Sequence, residues 1–173
     1  MPESAPPEPL RKRNHPRAQA ARARRRAEAE AAGVDDAFIS DPVDRFYARS
    51  RDHAVLGPIF ARHIADWPPH LARMKAFWRS VLHNSGEFSG NPMQRHTAVH
   101  EAGTALGEAE FAQWLTLFYA TCADLAAERG LAPDAARGIN ERARMIADSL
   151  LTGIATRAHG LTAARAGQNL PHP

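Results

Sequence analysis

The sequence contains very little cysteine and no long apolar run. Cys122 is the single cysteine among 173 residues, so an internal disulfide bond is impossible and a reducing compartment such as the cytoplasm fits best. No stretch approaches the roughly 18 apolar residues that a membrane-spanning helix requires. The charged N-terminus is not followed by an apolar segment, so it lacks the pattern of a secretory signal. These absences predict a cytoplasmic protein without a membrane span.

Strand signals are also scarce. From about residue 35 onward the sequence shows no strict alternation of apolar and polar residues, few β-branched runs and no Asn-Gly or Asp-Gly hairpin turn. Hydrophobic residues make up 44% of the chain, which is enough for a sizeable core. The sequence therefore predicts one all-α domain of five or six helices over residues 34–159, followed by a flexible C-terminal tail at 160–173.

Residues 1–33 form a basic arm whose composition differs from the rest. The chain has 22 basic and 19 acidic residues; the arm holds eight and four of these, so the remainder, with 14 and 15, is nearly neutral. Five prolines in 1–16 predict disorder, and the Ala-, Arg- and Glu-rich stretch 17–32 predicts a transient helix ending near Gly33. Clustered arginines can contact the phosphates of nucleic acid or an acidic membrane surface. No aromatic residue is interleaved to stack on bases, so we expect a solvated arm, with any nucleic-acid contact confined to it.

Helix boundaries are suggested by prolines and capping residues. Ser40 or Asp41 is the expected N-cap of a helix with Pro42 in its first position. Asp66 is the expected cap of a helix that tolerates two prolines in its first turn and runs to about His83. A long helix ends near Gly130, and a last helix is expected over 133–158. Its predicted apolar face is formed by Ile139, Met145, Ile146, Leu150 and Ile154.

Two histidines stand out by their spacing. His70 precedes Met74, Phe77 and Trp78 on one helix face, so it points toward the core, where an imidazole needs a partner or a shifted pKa. A histidine at the rim that bonds a backbone group explains the same pattern. His96 lies four residues before His100, a spacing that can chelate a metal. The HExxH order and a nearby third ligand are both missing, so a solvated or capping role also fits these residues.

Three large side chains with polar groups are predicted to face inward. Tyr47, Trp114 and His70 lie on apolar helix faces, and a buried tyrosine hydroxyl or indole N–H usually needs a partner. If the three converge, they form a polar spot within an apolar pocket, which is typical of a ligand site. Ordinary core packing, with their polar tips at the surface, is the alternative.

The order of these motifs resembles that of the group III truncated haemoglobins. The string "FY…LGPIF…DWPPHLARMKAFW…GNPMQRH…EFAQWLTLF…RARMIADSL" carries the resemblance over residues 38–158. The histidine three residues after the "DW" tryptophan, the following "FW" pair and the histidine after the loop are specific as a set. The absence of a Gly-Gly pair fits this group as well. The basic arm has no counterpart in the family pattern, and His100 receives no role from it.

The resemblance implies a shortened globin in which two helix pairs cross and enclose haem b. It implies that His96 is the proximal ligand of the haem iron, because haem iron takes one neutral imidazole on that side. It implies that Tyr47, His70 and Trp114 are the distal polar residues. Arg73, Arg79 and Arg95 are candidates for pairing with the haem propionates. Apolar haem contacts are expected from Met74, Phe77, Trp78, Phe88, Leu115 and Phe118.

These implications define an expected function and its alternative. The resemblance predicts reversible binding of dioxygen and of other small ligands such as nitric oxide, cyanide and sulfide. Nitric oxide detoxification or peroxidase-like turnover would need a reductase as partner, so whether the protein is an enzyme stays open. The alternative is a haem-free helical interaction or regulatory module that uses its arginine-rich arm on nucleic acid or membrane. The colour of the purified protein discriminates between the two.

Overall fold

The computed structural model describes residues 16–31, 33, 35–132, 135–159 and 167–173. Within these ranges the chain forms seven helices and no strand, which confirms the predicted all-α fold. None of the described helices is both long and apolar enough to cross a membrane. The helices are α1 (Pro16–Ala31), α2 (Asp36–Arg51), α3 (Leu56–His63), α4 (Trp67–His83), α5 (Pro92–Glu101), α6 (Glu108–Glu128) and α7 (Arg137–His159).

Helix α2 begins earlier than the proline predicted. Its N-cap is Asp35, whose Oδ1 accepts a hydrogen bond of 2.6 Å from the backbone N–H of Phe38. Pro42 lies inside the helix rather than at its start, so the predicted boundary at Ser40 or Asp41 is wrong. A proline within a helix forfeits one backbone hydrogen bond. The extra turn also places Phe38 and Ile39 in the core, fully buried, and this burial offsets the lost bond.

The core is formed where α2 packs against α4 and α6, while α7 packs against α5 and α6. Aromatic rings fill its centre. Phe118 of α6 lies between two tryptophans: its ring centroid is 5.0 Å from that of Trp78 and 5.0 Å from that of Trp114, and all three rings are nearly parallel. At the surface, Arg45 and Arg49 of α2 pair with carboxylates of α6. The short helix α3 joins this core between α2 and α6.

The inner face of α7 is formed largely by small residues. Ala143 and Ala147 are buried together with Ile139, Leu150 and Ile154. Met145 was predicted to lie on this face but is 58% exposed. The buried face of the helix is the one that carries the two alanines, and Met145 lies outside it. The helix begins at Arg137; the predicted start at residue 133 lies outside the described residues.

The first and the last described segments of the chain both contact the helical core. Helix α1 lies against α4, and Arg26 of α1 pairs with Asp36 at 3.0 Å. At the other end Leu170 is buried in the core, and the hydroxyl of Tyr119 donates a hydrogen bond of 3.1 Å to the carbonyl of Pro171. The described part of the predicted flexible tail, residues 167–173, is therefore packed against α6, since a single leucine at its centre finds an apolar site. Residues 160–166 of that tail lie outside the described residues.

Candidate functional site

A cavity of about 590 Å³ lies among helices α2 to α7. Its size falls within the range of roughly 300–1,000 Å³ that is typical of small-molecule and cofactor sites. Each of the six helices contributes to the walls, which are mostly apolar. Exposed lining residues mark the mouth of the cavity: Arg73, Ser89, Gly90, Asn91, Gln94, Arg95 and Ala98.

The cavity brings together the four polar side chains that the sequence singled out. Tyr47 reaches it from α2, His70 from α4, His96 from α5 and Trp114 from α6. These residues are separated by up to 67 positions in the sequence, so the helix packing itself creates their proximity. We refer to Tyr47, His70 and Trp114 as the Tyr47 wall, and to α5 with His96 as the His96 wall.

Most of the predicted apolar contacts line the same cavity. Met74, Phe77, Trp78 and Phe88 are all part of its surface. Leu115 and Phe118 are not among the lining residues. Both are fully buried behind the wall, because Phe118 is covered on its two faces by tryptophan rings and Leu115 is turned away from the cavity by its place next to Trp114 on α6. They support the wall without forming its surface.

His96 is held in one defined tautomer. Its Nδ1 donates a hydrogen bond of 2.8 Å to the carbonyl oxygen of Pro92, so Nε2 carries the lone pair. Burial lowers the pKa of His96 below its ordinary value, although the bond to Pro92 acts in the opposite direction. The helix start that sets this geometry is fixed by Asn91, whose side chain accepts a bond of 3.0 Å from the backbone N–H of Gln94. The result is an oriented, neutral imidazole, which is the form that binds metals.

The Tyr47 wall is held by ring contacts. The rings of Tyr47 and His70 meet edge to face at a centroid distance of 5.0 Å, and Trp114 packs against Phe46 at 5.3 Å. Burial raises the pKa of Tyr47 above its usual range, so its hydroxyl stays protonated and able to donate. Burial, followed by the charge of Arg73, lowers the pKa of His70. The Nε2 atom of His70 is buried and finds no hydrogen-bond partner among the described residues.

The three candidate arginines differ in their position relative to the mouth of the cavity and in their ion pairs. Arg73 and Arg95 line the cavity, and neither forms an ion pair with a carboxylate of the described chain. Arg79 does not line it, and its Nε donates a hydrogen bond of 2.8 Å to Glu87. Two cations at the mouth are therefore free to bind anionic groups of an occupant, while the third is already paired.

Two titratable residues of the cavity lining, His63 and Glu110, were not predicted from the sequence. His63, at the end of α3, forms a hydrogen bond of 2.7 Å between its Nε2 and Thr104 Oγ1 and lines the cavity. Glu110 also lines the cavity and accepts a bond of 2.8 Å from the backbone N–H of Gly107. A signal for His63 existed, because it lies four residues after Ile59 on the apolar face of its helix. Nothing comparable marked Glu110.

Among characterised proteins, the chain is similar to a group 3 truncated hemoglobin of Campylobacter jejuni. The two sequences are 28% identical over 89 residues, which cover 49% of this chain and 67% of the Campylobacter protein. This similarity supports a globin-like relationship. No protein-family model matches the chain, and no solved structure matches it. The assignment to group III stays a prediction.

The residues of this globin-like cavity fit a haem. In the part of the chain that the structure describes, no cluster of three or more His, Cys, Asp or Glu side chains could hold a bare metal ion. A haem iron needs fewer protein ligands than a bare metal ion, because the porphyrin supplies four nitrogen ligands and one imidazole supplies the fifth. His96 is such an imidazole, the walls are mostly apolar, and His70 Nε2 is a buried polar atom that lacks a partner.

Proposed function

We propose that the protein binds haem b in this cavity, with His96 as the proximal iron ligand, and reversibly binds dioxygen beside the Tyr47 wall. One observation carries the proposal: a neutral, oriented imidazole shares a single apolar cavity with three aromatic side chains that bear polar groups. The relationship to a truncated hemoglobin supports it. Haem, when bound, supplies an iron with an open coordination position for a small ligand.

The Tyr47 wall is suited to a ligand that bears partial negative charge. The Tyr47 hydroxyl is protonated because burial raises its pKa, and the Trp114 indole N–H can only donate. Pre-oriented donors in a cavity that excludes water stabilise such charge more strongly than water does. His70, whose Nε2 has no other partner in the described chain, can donate to the ligand or accept from a water molecule beside it. These donors explain why polar groups occupy positions where leucine would pack more easily.

The remaining lining residues suit the body of the cofactor. Met74, Phe77, Trp78 and Phe88 offer apolar surface to the porphyrin, while Leu115 and Phe118 fix the wall from behind. Arg73 and Arg95 are placed at the mouth, where their guanidinium groups can form charge-assisted hydrogen bonds to the two propionates. With its propionates at the mouth and its apolar ring against the aromatic side chains inside, the porphyrin would enter the cavity in one defined orientation.

Other small ligands match the same wall. Nitric oxide, cyanide and sulfide each present an acceptor atom or partial negative charge to the donors. Turnover that removes nitric oxide or reduces a peroxide would require electrons from a reductase, which would be a protein partner in the cytoplasm. The basic arm is where any contact with nucleic acid would occur.

Reversible oxygenation of the ferrous protein is the direct test. The haem-loaded protein is reduced without air, exposed to dioxygen and then flushed with argon while its visible spectrum is recorded. The proposal expects a ferrous spectrum that changes on oxygenation and returns on flushing. Immediate, irreversible conversion to the ferric spectrum, even at low temperature, would contradict reversible binding while leaving haem binding intact.

A further inference from the structure

Trp67 lies just outside the cavity lining and contacts two residues of the Tyr47 wall. Its ring centroid is 6.0 Å from that of His70 and 5.8 Å from that of Tyr47, and both contacts are edge to face. With the 5.0 Å contact between Tyr47 and His70, each of the three rings contacts the other two. Edge-to-face pairs of this kind stabilise a structure beyond the area that they bury.

The indole ring is itself fixed in place. Trp67 is the first residue of α4, and the guanidinium carbon of Arg51 lies 4.9 Å from the centroid of its ring. Arg51 is the last residue of α2, the helix that also carries Tyr47. This cation–π contact therefore ties the end of α2 to the start of α4.

His70 depends on these rings because it lacks polar restraints. Its Nε2 is buried and finds no hydrogen-bond partner within the described ranges. Among the described residues, its ring contacts are those with Tyr47 and Trp67. Arg73, which lies one turn further along α4, acts on it only through its charge. Because no hydrogen bond fixes Nε2, we expect the imidazole to change its orientation when one of these ring contacts is removed.

We infer that Trp67 is a positioning residue that holds the His70 imidazole over the cavity and so controls how fast small ligands enter. The effect on ligand entry rests on the proposed function, whereas the effect on His70 does not. Trp67 itself touches no ligand, because it does not line the cavity. This role gives a reason for a tryptophan, rather than a smaller residue, in the first position of α4.

The first test uses the haem-free protein. Imidazole resonances of His70 are titrated by NMR in the wild type, Trp67→Leu and Trp67→Phe. Without the indole, water reaches the half-buried ring, so the pKa of His70 should rise toward its ordinary value in Trp67→Leu. Trp67→Phe keeps an aromatic edge and should stay close to the wild type. Identical titrations in all three proteins would overturn the inference, whether or not the protein binds haem.

The second test is a double-mutant cycle on the haem-loaded protein. Carbon monoxide association is measured by flash photolysis for Trp67→Leu in the wild-type and His70→Ala backgrounds. We expect Trp67→Leu to change the association rate by about threefold or more, the lower range for residues in contact, and to have no such effect once His70 is absent. An equal effect in both backgrounds would show that Trp67 acts on the fold and not through His70.

A second variant protects the tests against misfolding. Arg51→Gln removes the cation from the indole ring but keeps Trp67 and the core intact, since Arg51 is exposed. It should shift the His70 titration and the association rate in the same direction as Trp67→Leu, by a smaller amount. A shift in the opposite direction, or none, would contradict the inference.

Discussion

The two walls of the cavity are ordered by different forces. On the His96 wall a hydrogen bond of 2.8 Å to Pro92 fixes the imidazole and chooses its tautomer. On the Tyr47 wall the rings of Tyr47 and His70 are fixed by edge-to-face packing, and His70 Nε2 is left without a partner in the described chain. The Nδ1–H group of His96 is already hydrogen-bonded within the protein. By contrast, His70 Nε2 on the Tyr47 wall remains available to a molecule in the cavity.

This difference supports the different tasks that we propose for the two walls. An imidazole with one nitrogen engaged can offer the other as a firm metal ligand, because its direction is already set. Buried donors without a partner in the protein lower its stability. Their arrangement is best explained by a ligand that accepts their hydrogen bonds. Disrupting the His96 wall should have the larger effect, and disrupting the Tyr47 wall the smaller one.

The largest effect is expected from removing the fixed imidazole. His96→Ala should lose or greatly weaken haem retention, because only apolar and propionate contacts remain. Added imidazole should partly restore the spectrum. His100→Ala is the matched control: His100 lies on the same helix, and its Nδ1 accepts a long bond of 3.4 Å from the backbone N–H of Leu106.

The outcome that would contradict this assignment is a His96→Ala variant with unchanged ferric and ferrous spectra. The iron ligand would then lie elsewhere, and His70 and His100 would be the next residues to substitute. Loss of haem in both His96→Ala and His100→Ala would point to a general weakening of α5.

The next effect concerns the donors of the Tyr47 wall. A hydrogen bond to a charged or polarised acceptor contributes roughly 1.5–3 kcal/mol, and each 1.4 kcal/mol is about tenfold in an equilibrium constant. Tyr47→Phe or Trp114→Phe should therefore raise the dioxygen dissociation rate by about one to two orders of magnitude. The association rate should change less. Stopped-flow and flash-photolysis rates measure both.

Tyr119→Phe is the control for the loss of a hydroxyl, since Tyr119 bonds Pro171 and does not line the cavity. The double variant of Tyr47 and Trp114 tests whether one donor replaces the other. The dissociation rates of the single and double variants could all stay within about twofold of the wild-type rate, far below the expected effect. Tyr47 and Trp114 would then be ordinary core aromatics that do not bind the ligand.

Acid should have a smaller effect, and both walls contribute to it, because burial lowers the pKa of His96 as well as that of His70. Burial, followed by the charge of Arg73, lowers the pKa of folded His70 below its ordinary value of 6.5. The unfolded chain then takes up the proton first. The contribution of His70 to the free energy of unfolding is therefore fully present above about pH 6.5. It declines as the pH falls toward the lower pKa of the folded state.

Urea midpoints of the haem-free protein measure this dependence. Between about pH 7 and pH 5 the midpoint should fall more steeply for the wild type than for His70→Leu, because the variant has lost one of the groups that titrate differently in the two states. Parallel profiles would mean that His70 has the same pKa in the folded and unfolded chains.

The smallest effect is expected from the basic arm, none of whose described residues lines the cavity. Helix α1 lies against α4, but its described side chains are exposed apart from a half-buried Arg22. Its ion pair between Arg26 and Asp36 is also exposed, and such pairs contribute about 0–1 kcal/mol. Deleting residues 1–33 should leave haem binding unchanged and lower the melting temperature by no more than a few degrees. A larger drop would show that α1 stabilises α4.

Much of this arrangement could be predicted from the sequence because it depends on local periodicity. The inward faces of α2, α4 and α6 followed from apolar spacing, and the loop before α5 followed from its composition. The predicted convergence of Tyr47, His70 and Trp114 needed more than periodicity, since three helices had to pack in one particular way. The motif resemblance supplied that step.

The differences arise where distant contacts override local signals. Pro42 predicted a helix start, but burial of Phe38 and Ile39 extends α2 by a turn before it. Met145 fits an apolar stripe by its residue type, yet alanines form the buried face of α7. Leu170 is an isolated leucine near the end of the chain, and only the packed helices reveal a site that buries it. No window of sequence contains that information.

The central claim is that the cavity binds haem through the His96 wall, and titration of the haem-free protein with haemin tests it most directly. Increments of haemin are added while the Soret region is recorded, with His96→Ala titrated in parallel. We expect a sharp Soret band that stops growing at one haemin per chain in the wild type, and a weak, broad band without a clear endpoint in the variant. A wild-type protein that stays colourless, or that gives the same broad band as the variant, would contradict the account.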